Sequence, residues 1–281
     1  MSTDSGGTNA RVGTLSQIRI VAKYSFLNYF RARRFYVMLA IILLISGLLT
    51  FAIGYYRPGA LLVNALSFYG AGWGAFVSFV VILSTAFFGG DAISGEFQNK
   101  TGYFLVPNPI RRSAIYVGKW FAALAASSIV LLVYAVIVLA NGLYYFGLTV
   151  PTEFAQSVIF AWIFLIAALS LMFAFSSLFK SSSISILMGV ILLLFVFSVI
   201  DEVAASVVGI EPWFSITYGA GIVTDVLTVP YPAHLSTTKF GRFTTLTYHA
   251  SIPEGLVIML AYFVVMAIVG LWLFERKEFT S

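Results

Sequence analysis

The chain has 281 residues, 60% of them hydrophobic and 10% charged, with a mean hydropathy of +0.97. A soluble domain carries about 45–50% apolar and about 25% charged residues, so this composition belongs to a bilayer. The net charge of +5 does not indicate nucleic acid, because Lys and Arg gather in loops at alternate span ends, and the absence of cysteine excludes disulfides, thiolate metal sites and cysteine nucleophiles.

Residues 1–14 read as a flexible tail of Ser, Thr, Gly and Asn. No apolar core with a cleavage site marks a secretory signal there. Residues 15–34 follow as an amphipathic connecting helix. Leu15, Ile18, Ala22, Phe26 and Tyr29 gather on one face, and Arg19, Lys23, Arg31 and Arg34 on another. Such a helix is expected in the membrane interface, its apolar side at the headgroup boundary and its cations on lipid phosphates.

Residues 35–274 hold six predicted spans. The first, 35–56, is long enough for a hydrocarbon core of about 30 Å and ends at Arg57-Pro58-Gly59. The second, 64–90, carries Gly70, Gly72 and Gly74 as a small-residue ridge for a neighbouring helix. The third, 115–146, exceeds one bilayer, with Asn141-Gly142 as its expected point of irregularity. A turn at 151–153 leads to the fourth, 154–179. The polar loop around Lys180 then precedes the fifth, 184–200, which extends to 208. Asp201 and Glu202 at its outer end are placed at the interface or facing a watery cavity. Residues 209–253 mix Pro with Trp and Tyr and read as short interfacial pieces on the outer side. The sixth span covers 254–274, and 275–281 close the chain as a charged tail. With both termini on one side, thirteen of the sixteen Lys and Arg residues fall on that side, which the positive-inside rule makes cytoplasmic.

The polar interruption between the second and third spans is the most informative stretch. Over 92–105 a short helix is predicted: Glu96 and Lys100 stand four apart in the favourable order for an ion pair, and Phe97, Phe104 and Leu105 recur at helical spacing. Asp91 is placed as its cap, with a partner contact as the alternative. Pro107 and Pro109 stop it, and Arg111, Arg112 and Lys119 lead into the next span.

The order Ile93-Ser94-Gly95-Glu96, Lys100-Thr101-Gly102, Pro107, Arg111 and Gly118-Lys119 resembles the pattern of ABC-2 type transporter permeases, in particular the NosY-like permeases of copper-enzyme maturation systems. The resemblance covers nearly the whole chain, including the ending Phe274-Glu275-Arg276-Lys277. It implies an all-α polytopic membrane protein with six transmembrane helices, an N-terminal interfacial helix that touches an ATPase, and a cytoplasmic coupling helix within 91–113. It further implies that Ile93, Gly95, Glu96, Phe97, Lys100, Thr101, Phe104 and the Lys180 loop face the cleft of a separate ATPase subunit. Small external helices are implied for 209–253. The implied partners are ABC ATPase subunits, a second permease copy or paralogue, and the lipid bilayer of the cell membrane. ATP and Mg would sit on the ATPase, with no cofactor on this chain.

The chain has no phosphate cradle of its own. Gly118-Lys119 lacks an upstream glycine at Ser113 and is followed by Trp120 where Ser or Thr is needed. An intramembrane enzyme would need ionisable groups inside a span, and the acids fall at span ends or in loops. A secondary transporter or channel is the other alternative, and no internal repeat supports it. His234 and His249 are fifteen apart with no acid at ligand spacing, so no metal site is expected. The expected function is export of a substrate by a non-catalytic permease.

Overall fold

The computed structural model describes residues 13–56, 63–98, 111–240 and 243–277, and no side chain is described over 238–245. Six helical segments are long and apolar enough to cross a membrane: Arg33–Tyr56, Ala65–Gln98, Arg112–Phe146, Thr152–Leu178, Ser182–Val208 and Ile252–Arg276. Helix α1 (Thr14–Arg31) precedes them and α2 (Arg33–Tyr56) is the first span. The second span comprises α3 (Ala65–Gly72), α4 (Val77–Gly89) and α5 (Ser94–Gln98). Helices α6 (Arg112–Phe146) and α7 (Thr152–Leu178) are the third and fourth. The fifth runs through α8 (Ser182–Ile191) and α9 (Phe197–Val203), each followed by a π-helical turn. Two short helices, α10 (Ile216–Ala220) and α11 (Ile222–Asp225), and a hairpin of β1 (Leu235–Phe240) and β2 (Phe243–Tyr248) lead to α12 (Ile252–Arg276).

The spans divide into an inner and an outer set. The most apolar windows of spans two, three and four are 67%, 50% and 61% buried, whereas those of spans one, five and six are only 17–22% buried. The inner trio therefore forms the packed core and the outer three present apolar faces such as Leu44, Leu48, Val199 and Val265 outward. At about 1.5 Å per residue, α6 extends roughly 52 Å, well beyond a hydrocarbon core of about 30 Å. Its projecting first turns carry α1: a Cβ on Gly118 would lie 2.8 Å from Val21 and 2.9 Å from the Ile18 carbonyl.

The break in span two follows from its glycines. A Cβ on Gly74 would collide with the Gly70 carbonyl, while one on Gly70 or Gly72 would meet only ordinary contacts, at 4.0 and 3.7 Å. The expected glycine ridge is thus a helix interruption at residues 73–76 rather than a surface for close helix approach. The Tyr134 hydroxyl of α6 donates to the Gly72 carbonyl at 2.6 Å, satisfying backbone that the break exposes. The irregularity expected at Asn141-Gly142 is absent. α6 continues to Phe146, and Gly142 serves close packing, since a Cβ there would collide with the Tyr69 hydroxyl.

Residues 209–253 hold two short helices, as the resemblance implied, and a hairpin that was not expected. Leu235 pairs with Tyr248 and Phe240 with Phe243. The strands read LSTTKF and FTTLTY, rich in the β-branched and aromatic residues that favour pleated backbone.

Candidate functional site

α5 is one helical turn, Ser94–Gln98, too short to hold itself in water, so its fastenings determine its shape. The Ile93 and Ser94 amides both donate to Ser176 Oγ at 2.9 Å, near the end of span four. Ser94 Oγ donates to the Gly90 carbonyl at 2.8 Å. Glu96 is ion-paired with Lys119 of α6, whose Nζ also donates to the Ala92 carbonyl at 2.9 Å. Gln98 Oε1 accepts the Ser182 amide at 2.8 Å, where span five begins. The Phe97 ring lies 4.2 Å from Lys277 Nζ, and Lys277 donates to the Ser177 and Phe179 carbonyls at 2.9 and 2.7 Å. Asp91 pairs with Arg34 at the start of span one rather than capping α5. Residues 91–98 consequently meet the ends of all five other spans.

Burial also acts on the charges of this joint. Burial, reinforced by the positive charge of Lys180, pushes the Lys277 ammonium down to about 8. Arg112 Nη1 donates to the Glu275 and Lys277 carbonyls at 3.0 and 3.1 Å, satisfying the C-terminal end of span six. The Tyr29 hydroxyl donates to the Phe88 carbonyl at 3.0 Å, and burial pushes its phenol upward. A cavity of about 270 Å³ opens between α1 and the joint, lined by Ser25, Asn28, Tyr29, Asp91, Glu96 and Lys119, among others.

The residues predicted to face a partner separate by burial. Ile93 and Gly95 are buried and shape the joint; a Cβ on Gly95 would lie 2.9 Å from the Asp91 carboxylate. Glu96 and Phe97 are half-buried, and Lys180 is exposed in the turn between α7 and α8. Lys100, Thr101 and Phe104 lie outside the described residues. Arg19, Lys23 and Arg31 are exposed on α1, whereas Arg34 belongs to α2 and to the Asp91 ion pair. Of the predicted apolar face, Ile18, Ala22, Phe26 and Tyr29 are half-buried, and Leu15 is 82% exposed. The side of α1 turned outward instead interleaves Arg19, Lys23 and Arg31 with Ile20, Tyr24 and Leu27. Sequence reasoning missed Ser176, Gln98 and Lys277 as fastenings, because nothing in their spacing announces partners on other spans.

At the opposite end, His249 Nδ1 lies 2.9 Å from Asp225 Oδ2 and its Nε2 lies 3.0 Å from Ser236 Oγ. Burial raises the Asp225 carboxyl, with His249 opposing that rise. The Tyr218 hydroxyl donates to Glu211 and holds that carboxyl below its usual range. Asp201, Glu202, Tyr218, Asp225 and His249 share a cavity of about 340 Å³. The two acids at the end of span five thus face this cavity, one of the two placements expected for them.

These features define a six-span, α-helical membrane protein in which residues 91–98 are fastened to the ends of the other five spans. The family profile of the ABC-2 family transporter proteins matches residues 19–279, and the chain belongs to that family. It is the membrane permease subunit of an ABC transporter, a class that works with an ATP-binding partner. The match is to the family as a whole and carries no subgroup. Among curated proteins no matching relative was found.

Proposed function

We propose that this chain is the permease of an exporter in the cell membrane, with both termini cytoplasmic, and that it works as a dimer with a separately encoded ATPase seated against residues 91–98, the Lys180 turn and α1. The observation that carries this reading is the convergence of one short segment on every other span. A force applied at α5 meets Ser176, Lys119, Ser182, Lys277 and Arg34 at once. ATP can bias the two access states only by favouring one of them, and a joint touching all the spans is where such a preference would be expressed. The exposed cations Lys180, Arg19, Lys23 and Arg31 supply the contact surface.

The test is a detergent pull-down of the tagged chain from its native membrane, with mass spectrometry and an ATPase assay on the eluate. Wild type is expected to bring down a nucleotide-binding subunit in stoichiometric amount. The Lys180→Glu and Glu96→Ala variants should insert normally, the first losing partner and the second retaining partner with lowered coupled hydrolysis. A lone, stable, ATPase-free chain would overturn the assignment.

A further inference from the structure

We propose that Glu211, His234 and Glu254 form a binding site for a single zinc ion at the end of the bundle opposite the joint. The inference rests on the geometry of this cluster and is independent of the ATPase reading. One donor atom from each residue lies within 4.8 Å of the other two. His234 Nε2 and Glu211 Oε2 are 3.3 Å apart. Two ligands on tetrahedral zinc with bonds of about 2.0–2.1 Å stand roughly 3.3–3.4 Å apart, so this pair already has the required spacing.

The surroundings of each donor are those of a ligand set. His234 Nδ1 lies 3.1 Å from the His249 carbonyl, an acceptor only, so the proton sits on Nδ1 and Nε2 is directed at the carboxylates. A neutral imidazole would then point a lone pair at a carboxylate oxygen, and a second carboxylate stands beside it. What lies between them is a proton, on Nε2 or shared between the Glu211 and Glu254 carboxyls, or a cation. The hydroxyl of Tyr218 donates to Glu211 Oε1, and the Ser251 amide donates to Glu254 Oε2 at 3.2 Å. Each of the three donors is therefore oriented by a partner outside the cluster, as ligands of a metal are.

The donor chemistry selects the ion. Mg²⁺ and Ca²⁺ prefer oxygen alone, whereas one imidazole with two carboxylates suits zinc and leaves a position for water. The side chain of His234 is 55% exposed, which gives the ion a way in. Glu211 follows span five, His234 precedes the hairpin and Glu254 opens span six, so one ion would bridge three pieces of the chain.

The experiment uses the full chain without a polyhistidine tag, purified in detergent, titrated with ZnCl2 in a calorimeter and melted with and without saturating ZnCl2. One zinc per chain and a rise of several degrees in melting temperature are expected. The isosteric Glu211→Gln and Glu254→Gln variants and His234→Gln should each weaken binding at least tenfold and lose the shift, while Glu202→Gln, an acid outside the cluster, should retain both. Absence of saturable binding would overturn the proposal and leave a proton between these groups. Binding that persists unchanged in the three variants would overturn it as well.

Discussion

Replacing Ser176 by Ala tests whether α5 is held by the joint. Ser176 is fully buried, and its hydroxyl oxygen accepts the amides of both Ile93 and Ser94 at 2.9 Å. Its removal leaves two buried N–H groups without an acceptor, each costing about 1–3 kcal/mol. Partial rehydration lowers the sum to roughly 2–4 kcal/mol, which at 1.4 kcal/mol per decade raises local opening about 30- to 700-fold. Hydrogen–deuterium exchange on the chain in nanodiscs reads this directly, as faster uptake in peptides covering residues 90–98. Peptides from the middle of α6 and α7 serve as controls and should be unchanged. Uptake over 90–98 within about twofold of wild type would mean that the short helix is held by other contacts, and the Ser176 argument would fail.

Lys277 predicts a pH dependence. Its folded pKa of about 8 lies below the ordinary lysine value of 10.5, so between these values the unfolded chain binds more protons than the folded one. Stability contributed by this group therefore rises as pH increases from about 8 to about 10.5. Melting temperature against pH should show that rise in wild type and lose it in Lys277→Met; parallel curves would refute the burial argument. Gly142→Ala drives a methyl group into the Tyr69 ring and should cost about 1–3 kcal/mol through overpacking. At this chain length each kcal/mol lowers the melting temperature by roughly 2–4 °C, and an unchanged melting temperature would show that α6 and α3 are not in such close contact.

The bilayer made much of the fold legible. Each span must satisfy its own backbone and present apolar side chains for some twenty residues, so hydropathy alone locates all six within a few residues of where the helices run. Span ends were legible where chain chemistry is local, as at Pro151 before the fourth span. The joint was legible only in part. Ile93 to Phe97 stand out by composition, but their partners Lys119, Ser176 and Lys277 come from other spans, and sequence spacing does not tell which ends meet. Asp91 shows the consequence, since a local rule made it a cap and Arg34, 57 residues away, takes it instead. The hairpin was legible in the Thr-rich run from Leu235 to Tyr248, yet the surrounding Pro and Trp drew the assignment towards interfacial pieces. The neighbours of His234 were not legible, because Glu211 and Glu254 arrive from two different elements.

The fourth span gives the joint its reach. α7 carries Ser176 at one end, bonded to the start of α5, and Ser157 nineteen residues earlier, about 28 Å away along the axis. Ser157 accepts Trp73 Nε1 at 2.8 Å, and its own hydroxyl donates to the Val223 carbonyl of α11. One largely buried helix is thus hydrogen-bonded to the 93–94 segment at one end of the bundle and to α11 at the other. Packed cores do not deform continuously, so a displacement at residues 93–94 would move α7 as a body and carry Val223 with it. The outer spans are placed differently. Spans one, five and six are fastened at the joint by Arg34, Ser182 and Lys277, and most of their apolar surface faces away from the core. Span five also contains two π-helical turns, at Leu192–Val196 and Ala204–Val208, and ends at Gly209 with φ of 70°. Such turns are rare and recur at functional sites, so this span is where a motion of the inner trio would be accommodated, next to the cavity that Asp201 and Asp225 line.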